Sequence, residues 1–589
     1  MPLASPDQRA TLSRRRFLMV TASVAGMTTL IAACGPAAPT TATPPTAAPK
    51  PTAAAAPTTV AAAPTTAPAV AVPKPTTAPA AAAAPAAQGR TLTVAVEQDA
   101  SSLKPDTWGP FLNWYAARTL YDTLLHYKTA PGPDGLLYYV DGDWEMRLAS
   151  AVEVSSDRQT VTWTIRDNAT FEGGKKIDAA AVVKSFQWYL DRAEVGGSQA
   201  KVDGLVSRDD ITANGNQVIM KLKFPAPWGA SANYISLLAI VDADEVMKHA
   251  TPDDKFGARW MERNTTASGP YKLEKWVPGE QLVVTARPDW YGPPPAVQRI
   301  VFRVIPDASV RFSLLKKGEI DMASVLDFKD LDALKSDPNI AVDSWISNNW
   351  TYVGLNYNVK EFQDVNVRKA VASAIPSEEI IKSVYYGLAV PAKTPFGQRV
   401  AGADPTTWPY SYNIEQAKAY LAKSAYPEGF AVTFSIQNND INLEKSSQLI
   451  AESLGRIGIK VNIEKQTAAQ NSDALVAKKL AMSITDFTSF VPDAGYHALW
   501  NHLPDSFANY WNYANPEQEK LGRQMLYMDP KDPTRLEVLK QYQQIMADDV
   551  FGVYFASVKS VVAHKKTVTG FAYYPDYPLG ARFDNLKMA

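Results

Sequence analysis

Thr91-Leu92-Thr93-Val94-Ala95-Val96 alternates at period two and predicts a β-strand. It is the point where structure begins. Upstream lie a cationic leader and a low-complexity tether. Downstream, strand patterns alternate with helix patterns to the end of the 589-residue chain. At roughly 100–200 residues per domain, that length predicts three or four units. Charged residues make up 20% and hydrophobic ones 46%, which fits a mostly globular chain. The net charge of −1 gives no electrostatic reason to expect a nucleic-acid partner.

Reading toward the N-terminus, Ser13-Arg14-Arg15-Arg16-Phe17-Leu18 is a cationic segment followed by an apolar stretch from Val20 to Ala33. That stretch is about 14 residues long, against about 20 for a bilayer span. It reads as the core of a signal peptide, 1–33. Its end, Ile31-Ala32-Ala33-Cys34-Gly35, resembles a bacterial lipobox with Cys34 as the lipidated first residue, and the arginines resemble a twin-arginine export signal. Cys34 is the single cysteine, so no internal disulfide can form. The lipobox implies a membrane anchor, on the outer face of the cytoplasmic membrane or in the periplasm. A diacylated thiol would anchor stably where one acyl chain would not.

Between Gly35 and Gln88 the chain is almost wholly Ala, Pro and Thr, with Lys50 and Lys74 as its only charges. No periodicity or bulky apolar residue could build a core there. The region 34–88 is therefore expected to be a lipid-anchored stalk. Its extended polyproline reach is on the order of 170 Å.

Toward the C-terminus, Thr160 to Ile165 predicts a strand, and Asp178 is placed to cap a helix running to Tyr189. Tyr115 to Leu125 has helical spacing. Asn214-Gly215-Asn216 is a hairpin signal. Strands are expected near 282–286, 299–305, 352–357 and 432–436. Helices are expected near 307–317, 365–375, 413–423 and 444–457. The mixture predicts α/β lobes.

Several ordered segments then carry a family likeness. Arg118 to Leu125, Leu148 to Ser155 and Trp163 to Phe171 resemble segments of bacterial extracellular solute-binding proteins of family 5, the oligopeptide, dipeptide and nickel group. So do Ser268-Gly269-Pro270-Tyr271-Lys272-Leu273, Arg287 to Gly292, Ile305-Pro306-Asp307, Lys317 to Asp321, and Val367 to Ile375. The matches run in order from Thr91 onward. The resemblance implies a type II, cluster C-like periplasmic-binding-protein fold: two α/β lobes, a hinge and an extra inserted domain. It places lobe I at 89–130, 235–350 and 556–589, the inserted domain at 131–234, and lobe II at 351–555. It implies a monomer without cofactor that closes on a small-molecule or peptide ligand and delivers it to ABC-transporter permease subunits.

The same resemblance nominates the site. Trp350 and Tyr352 stand where the family often lines its cleft with aromatics. By alternation, only one of Tyr352 and Val353 should face it. Asp486 or Asp493, in the stretch Asp486 to Trp500, matches a loop whose aspartate pairs with a peptide's α-ammonium. Arg399 follows a loop that touches ligand carboxylates in some members. Trp500, with Trp408, Trp511 and Tyr513, could instead stack on an oligosaccharide. His497 and His502, five apart, lack a diagnostic metal spacing, so a nickel chelate is a minor alternative. An exported glycoside hydrolase is the rival class. No Gly-x-Ser-x-Gly, His-Glu-x-x-His or P-loop motif is present, and catalysis is not expected.

Overall fold

Thr91–Val96 becomes the central strand of a seven-stranded sheet. It pairs in parallel with Arg299–Val304 on one side and with Met322–Ala323 on the other, and Leu92, Val94, Ala95 and Val96 are fully buried. The computed structural model describes residues 90–589 apart from 108, 193, 203, 227–237, 489–490 and 576–580. The signal peptide, Cys34 and the tether lie outside the described residues. Among the described residues no helix is long and apolar enough to cross a membrane.

The remaining strands of the first sheet are Ser560–Lys565 and Ile340–Trp345 beyond Met322–Ala323, and Gln281–Ala286 and Tyr271–Val277 beyond Arg299–Val304. A second, six-stranded sheet runs in the order Ala389–Val390, Gly552–Val558, Asn349–Leu355, Met482–Thr488, Phe430–Gln437, Ile459–Gln466. Two smaller sheets flank the first. One has four antiparallel strands between Ala149 and Lys221. The other joins Leu125–Pro131, Leu137–Met146 and Ala572–Tyr573. One continuous hydrophobic core holds the first sheet and both smaller ones, and a separate core fills the second sheet.

Local chemistry sets the helix ends. Asp178 caps Ala179–Asp191 by accepting from the Ala181 N–H at 2.9 Å. Asp307 and Asp440 cap Ala308–Lys317 and Ile441–Gly455 in the same way. Gly318, at φ 73°, ends the first of these in the left-handed conformation. The expected hairpin forms with Gly215 at φ 59° between Ile211–Asn214 and Gln217–Lys221.

One helix differs from its expected span. It covers Phe111–Leu120 and stops before Tyr121, which is extended. Tertiary partners win over helical spacing there. The Asp122 N–H donates to Ser268 Oγ at 3.0 Å, its carboxylate meets Arg147, and Leu125 opens a strand.

The chain changes sheets at residues 346–348 and again at Lys559. Both crossings join antiparallel neighbours: Ile340–Trp345 pairs with Ser560–Lys565 in the first sheet, and Asn349–Leu355 pairs with Gly552–Val558 in the second. Ser347 Oγ donates to the Val558 carbonyl at 2.6 Å, and Ser557 Oγ donates to the Asn349 carbonyl at 2.6 Å. The two passages therefore lie side by side as one ribbon.

The second sheet depends on a bare backbone at Gly354. A Cβ there would lie 1.8 Å from the Trp511 indole, which is fully buried and donates from Nε1 to the Tyr352 hydroxyl at 3.1 Å. Gly354→Ala should lower stability by about 3 kcal/mol, because the indole must move out of a packed core. Gly455→Ala, with open space around its Cβ, should be neutral or slightly stabilising. Denaturant unfolding of the two variants checks the contrast.

Candidate functional site

Met482–Thr488 runs antiparallel to Asn349–Leu355, pairing Thr351 with Asp486 and Asn349 with Thr488. The C-terminal end of that strand therefore lies at the crossing between the two sheets. Asp486 occupies this end. Its side chain is exposed to solvent, while Met482 to Thr485, before it on the same strand, are buried. Lost hydration, then the nearby Asp440 charge, push its carboxyl up to about 6. Its one recorded side-chain contact is a long one, from Asn349 Nδ2 at 3.5 Å; the same amide donates to Thr488 Oγ1 at 3.2 Å. Among the described residues no cation pairs with it.

The other expected site residues are placed differently. Trp350 is 1% exposed, and its ring stacks on His497 with centroids 4.7 Å apart. Tyr352 is also buried, held by Trp511 and packed near Phe551 and Tyr554. All seven residues of Asn349–Leu355 are buried, so alternation does not choose between Tyr352 and Val353. Trp500 is buried among Val491, Tyr496, Leu503 and Leu526. Trp408, Trp511 and Tyr513 are buried in the core of the second sheet, so none offers a face for stacking on a sugar. Asp493 is engaged internally: it accepts from the Gly495 and Tyr496 N–H groups and pairs with Arg535 at 2.7 Å.

Arg399 differs from these. Its guanidinium lies over Tyr138 and Tyr139, at 4.2 and 5.1 Å from the ring centroids, and donates to the Tyr139 carbonyl at 3.4 Å. Among the described residues no carboxylate pairs with it, and its Nε is buried without a partner. Tyr139 also receives a hydrogen bond from Asn348 Nδ2 at 3.3 Å, so Arg399 flanks the same crossing as Asp486. Sequence reasoning missed Asn349 and Asp440. Their only signals were adjacency to Trp350 and a helix-capping position.

Residues 143–506 match the family model described as "Bacterial extracellular solute-binding proteins, family 5 Middle". The chain is 27% identical to a probable D,D-dipeptide-binding periplasmic protein of Escherichia coli, covering 82% of this chain and 92% of that protein. It is 26% identical to a glutathione-binding protein of Salmonella paratyphi A, covering 85% and 94%. Among solved structures it resembles a Helicobacter pylori ABC transporter-associated periplasmic binding protein in complex with the peptide STSA. That similarity has a TM-score of 0.69 at 24% identity and covers 85% of this chain and 98% of that one. The fold is thus the two-lobed type II periplasmic-binding-protein fold.

His497, stacked on Trp350, and His502 are fully buried. Neither ring nitrogen of His497 has a hydrogen-bond partner, while His502 Nδ1 meets the Tyr542 hydroxyl at 3.0 Å. Burial pushes His497 well below 6.5 and His502 down to about 3. Both therefore stay neutral when folded but would take a proton below about 6.5 when unfolded. Stability is fully present above that pH and falls as pH drops below it. Asp486 works in the opposite sense, binding its proton earlier in the folded state. Melting temperature should therefore fall more between pH 7 and pH 5 in the wild type than in His497→Phe, since that comparison changes only the histidine. Equal slopes would show that His497 does not set the acid response.

Proposed function

We infer the function from one premise: the chain belongs to the bacterial extracellular solute-binding proteins of family 5. We propose that it captures a short peptide between its two lobes and passes it to an ABC importer without chemical turnover. The observation that carries this reading is the carboxylate of Asp486, exposed at the end of its strand beside the lobe crossing with only a long contact from Asn349. A carboxylate so placed lacks a cation, and a peptide's α-ammonium supplies one.

Arg399 is the cation assigned to the ligand's carboxylate. It is supported by its position beside the same crossing and by a guanidinium stacked on rings. Asn349 donates to Asp486 and would help hold the carboxylate's direction. A desolvated ammonium–carboxylate pair is favourable only when its remaining polar atoms are also satisfied. Closure of the lobes would strengthen that pair by thinning the water around it. The ligand drives closure only by the difference in its affinity for closed and open forms.

The relatives named for D,D-dipeptide and glutathione support a short peptide or peptide-like ligand. Cys34 is proposed as the lipid attachment, with 34–88 as the stalk that carries the binding body above the membrane.

Calorimetric titration with the dipeptide Met-Leu tests the assignment. Asp486→Asn should weaken binding about a hundredfold at pH 7.5, as expected for breaking a desolvated charge pair. N-acetylation of the dipeptide should cost the wild type a similar factor. Wild-type affinity should also fall below about pH 6, as Asp486 takes up its proton. Unchanged affinity in Asp486→Asn would remove the carboxylate from the site.

A further inference from the structure

The four-stranded sheet between Ala149 and Lys221 belongs to neither large sheet, and peptide capture gives it no task. It nevertheless reaches the second lobe. Its first turn, Ser155 to Thr160, is fixed by its own hydrogen bonds: the Arg158 N–H donates to the Ser155 carbonyl at 2.8 Å and the Thr160 N–H to Ser155 Oγ at 2.9 Å. Arg158 sits there at φ 57°, a conformation that favours glycine. A non-glycine residue held in that region invites a functional explanation.

The Arg158 side chain offers one. Its guanidinium donates to the carbonyls of Tyr527, Met528 (3.2 Å) and Ala226 (3.1 Å). Ala226 lies beside the turn, and its N–H donates back to the Arg158 carbonyl at 2.9 Å. Tyr527 and Met528 end the helix Pro516–Tyr527 of the second lobe. Carbonyls at a helix C-terminus lack intrahelical donors and carry partial negative charge, so a guanidinium suits them on both counts. Phe224 meets the Tyr527 ring edge-on at 5.4 Å. Nearby, Val195 and Val202 of the helix Val195–Val202 pack on the cluster containing Val491, Tyr496 and Trp500, in the segment that follows Asp486.

We propose that the inserted sheet is a clasp that holds the two lobes closed from outside the hinge, with Arg158 as its tooth and the end of Pro516–Tyr527 as its catch. The clasp links the inserted sheet to the helix Pro516–Tyr527 and to the segment that follows Asp486. It adds to the stability of the closed form without touching ligand. This rests on the reading that the lobes open and close around a solute.

Arg158→Gly tests it, because glycine accepts the positive φ and the turn keeps its backbone hydrogen bonds. The first readout needs no ligand: small-angle scattering and amide hydrogen exchange over 516–528 of the ligand-free protein. The variant should be more expanded and exchange faster in that segment, with an unchanged melting temperature. Tyr527→Ala, which removes the Phe224 ring contact but leaves the carbonyl acceptors in place, should give a smaller expansion. The second readout is Met-Leu titration, where Arg158→Gly should weaken binding about fivefold. Scattering and exchange identical to the wild type in both variants would overturn the clasp, whatever binds. Expansion in the variants with no Met-Leu binding even by the wild type would keep the clasp and overturn the dipeptide reading.

Discussion

The two passages of chain between the sheets lie against each other, and most of the molecule's organisation follows from that. Trp345 pairs with Ser560 on one side of the crossing, and Thr351 pairs with Ala556 on the other. Between them, Ser347 and Ser557 each tie one passage to a carbonyl of the other. The Asn348 N–H is held by the Tyr573 hydroxyl at 2.7 Å. A ribbon of two cross-linked strands resists shear but can bend, which is the geometry of a hinge. It also decides which residues face each other. The strand carrying Asp486 ends at this ribbon because it pairs with Asn349–Leu355, the strand that leaves it.

The molecule treats its acids in two ways. In the first lobe, Asp122 is completely enclosed but meets Arg147 at 3.1 Å, and the Tyr291 hydroxyl donates to it at 2.5 Å. Arg147 also reaches Asp584, which pairs with Arg582, which in turn meets Glu145 at 2.9 Å. These partners hold Asp122 far below the usual carboxylate range and Asp584 near 2. Each charge is repeatedly compensated, as burial demands. The network fastens the C-terminal segment to the strand Leu137–Met146. Asp486 has no such company, and its carboxyl moves up instead of down. That difference in sign follows from the partners each acid has.

Local rules were legible in the sequence where local chemistry decided the outcome. Asp178 caps its helix, Gly215 makes its turn, and the strand from Thr91 is buried as its pattern implied. The family likeness added the two-lobed fold and pointed to the segment carrying Asp486. What stayed illegible depends on which faces are covered. Trp350 and Tyr352 are nominated because the family often has aromatics there, and alternation predicts exposure of only one of Tyr352 and Val353, but both faces of this strand are packed. Asp493 and Asp486 sit seven residues apart, and nothing local in sequence reports that Arg535, distant along the chain, pairs with Asp493. The end of the helix at Leu120 was set by Ser268 and Arg147, which periodicity cannot report.

The central claim is that Asp486 and Arg399, beside the crossing, hold a short peptide by its charged ends. Native mass spectrometry of freshly purified full-length protein tests it most directly, since the cell's own ligand is then identified rather than chosen. The account predicts bound masses that resolve into a ladder of short peptides with free amino termini, absent from Asp486→Asn. A hexose-spaced series retained by that variant would contradict it.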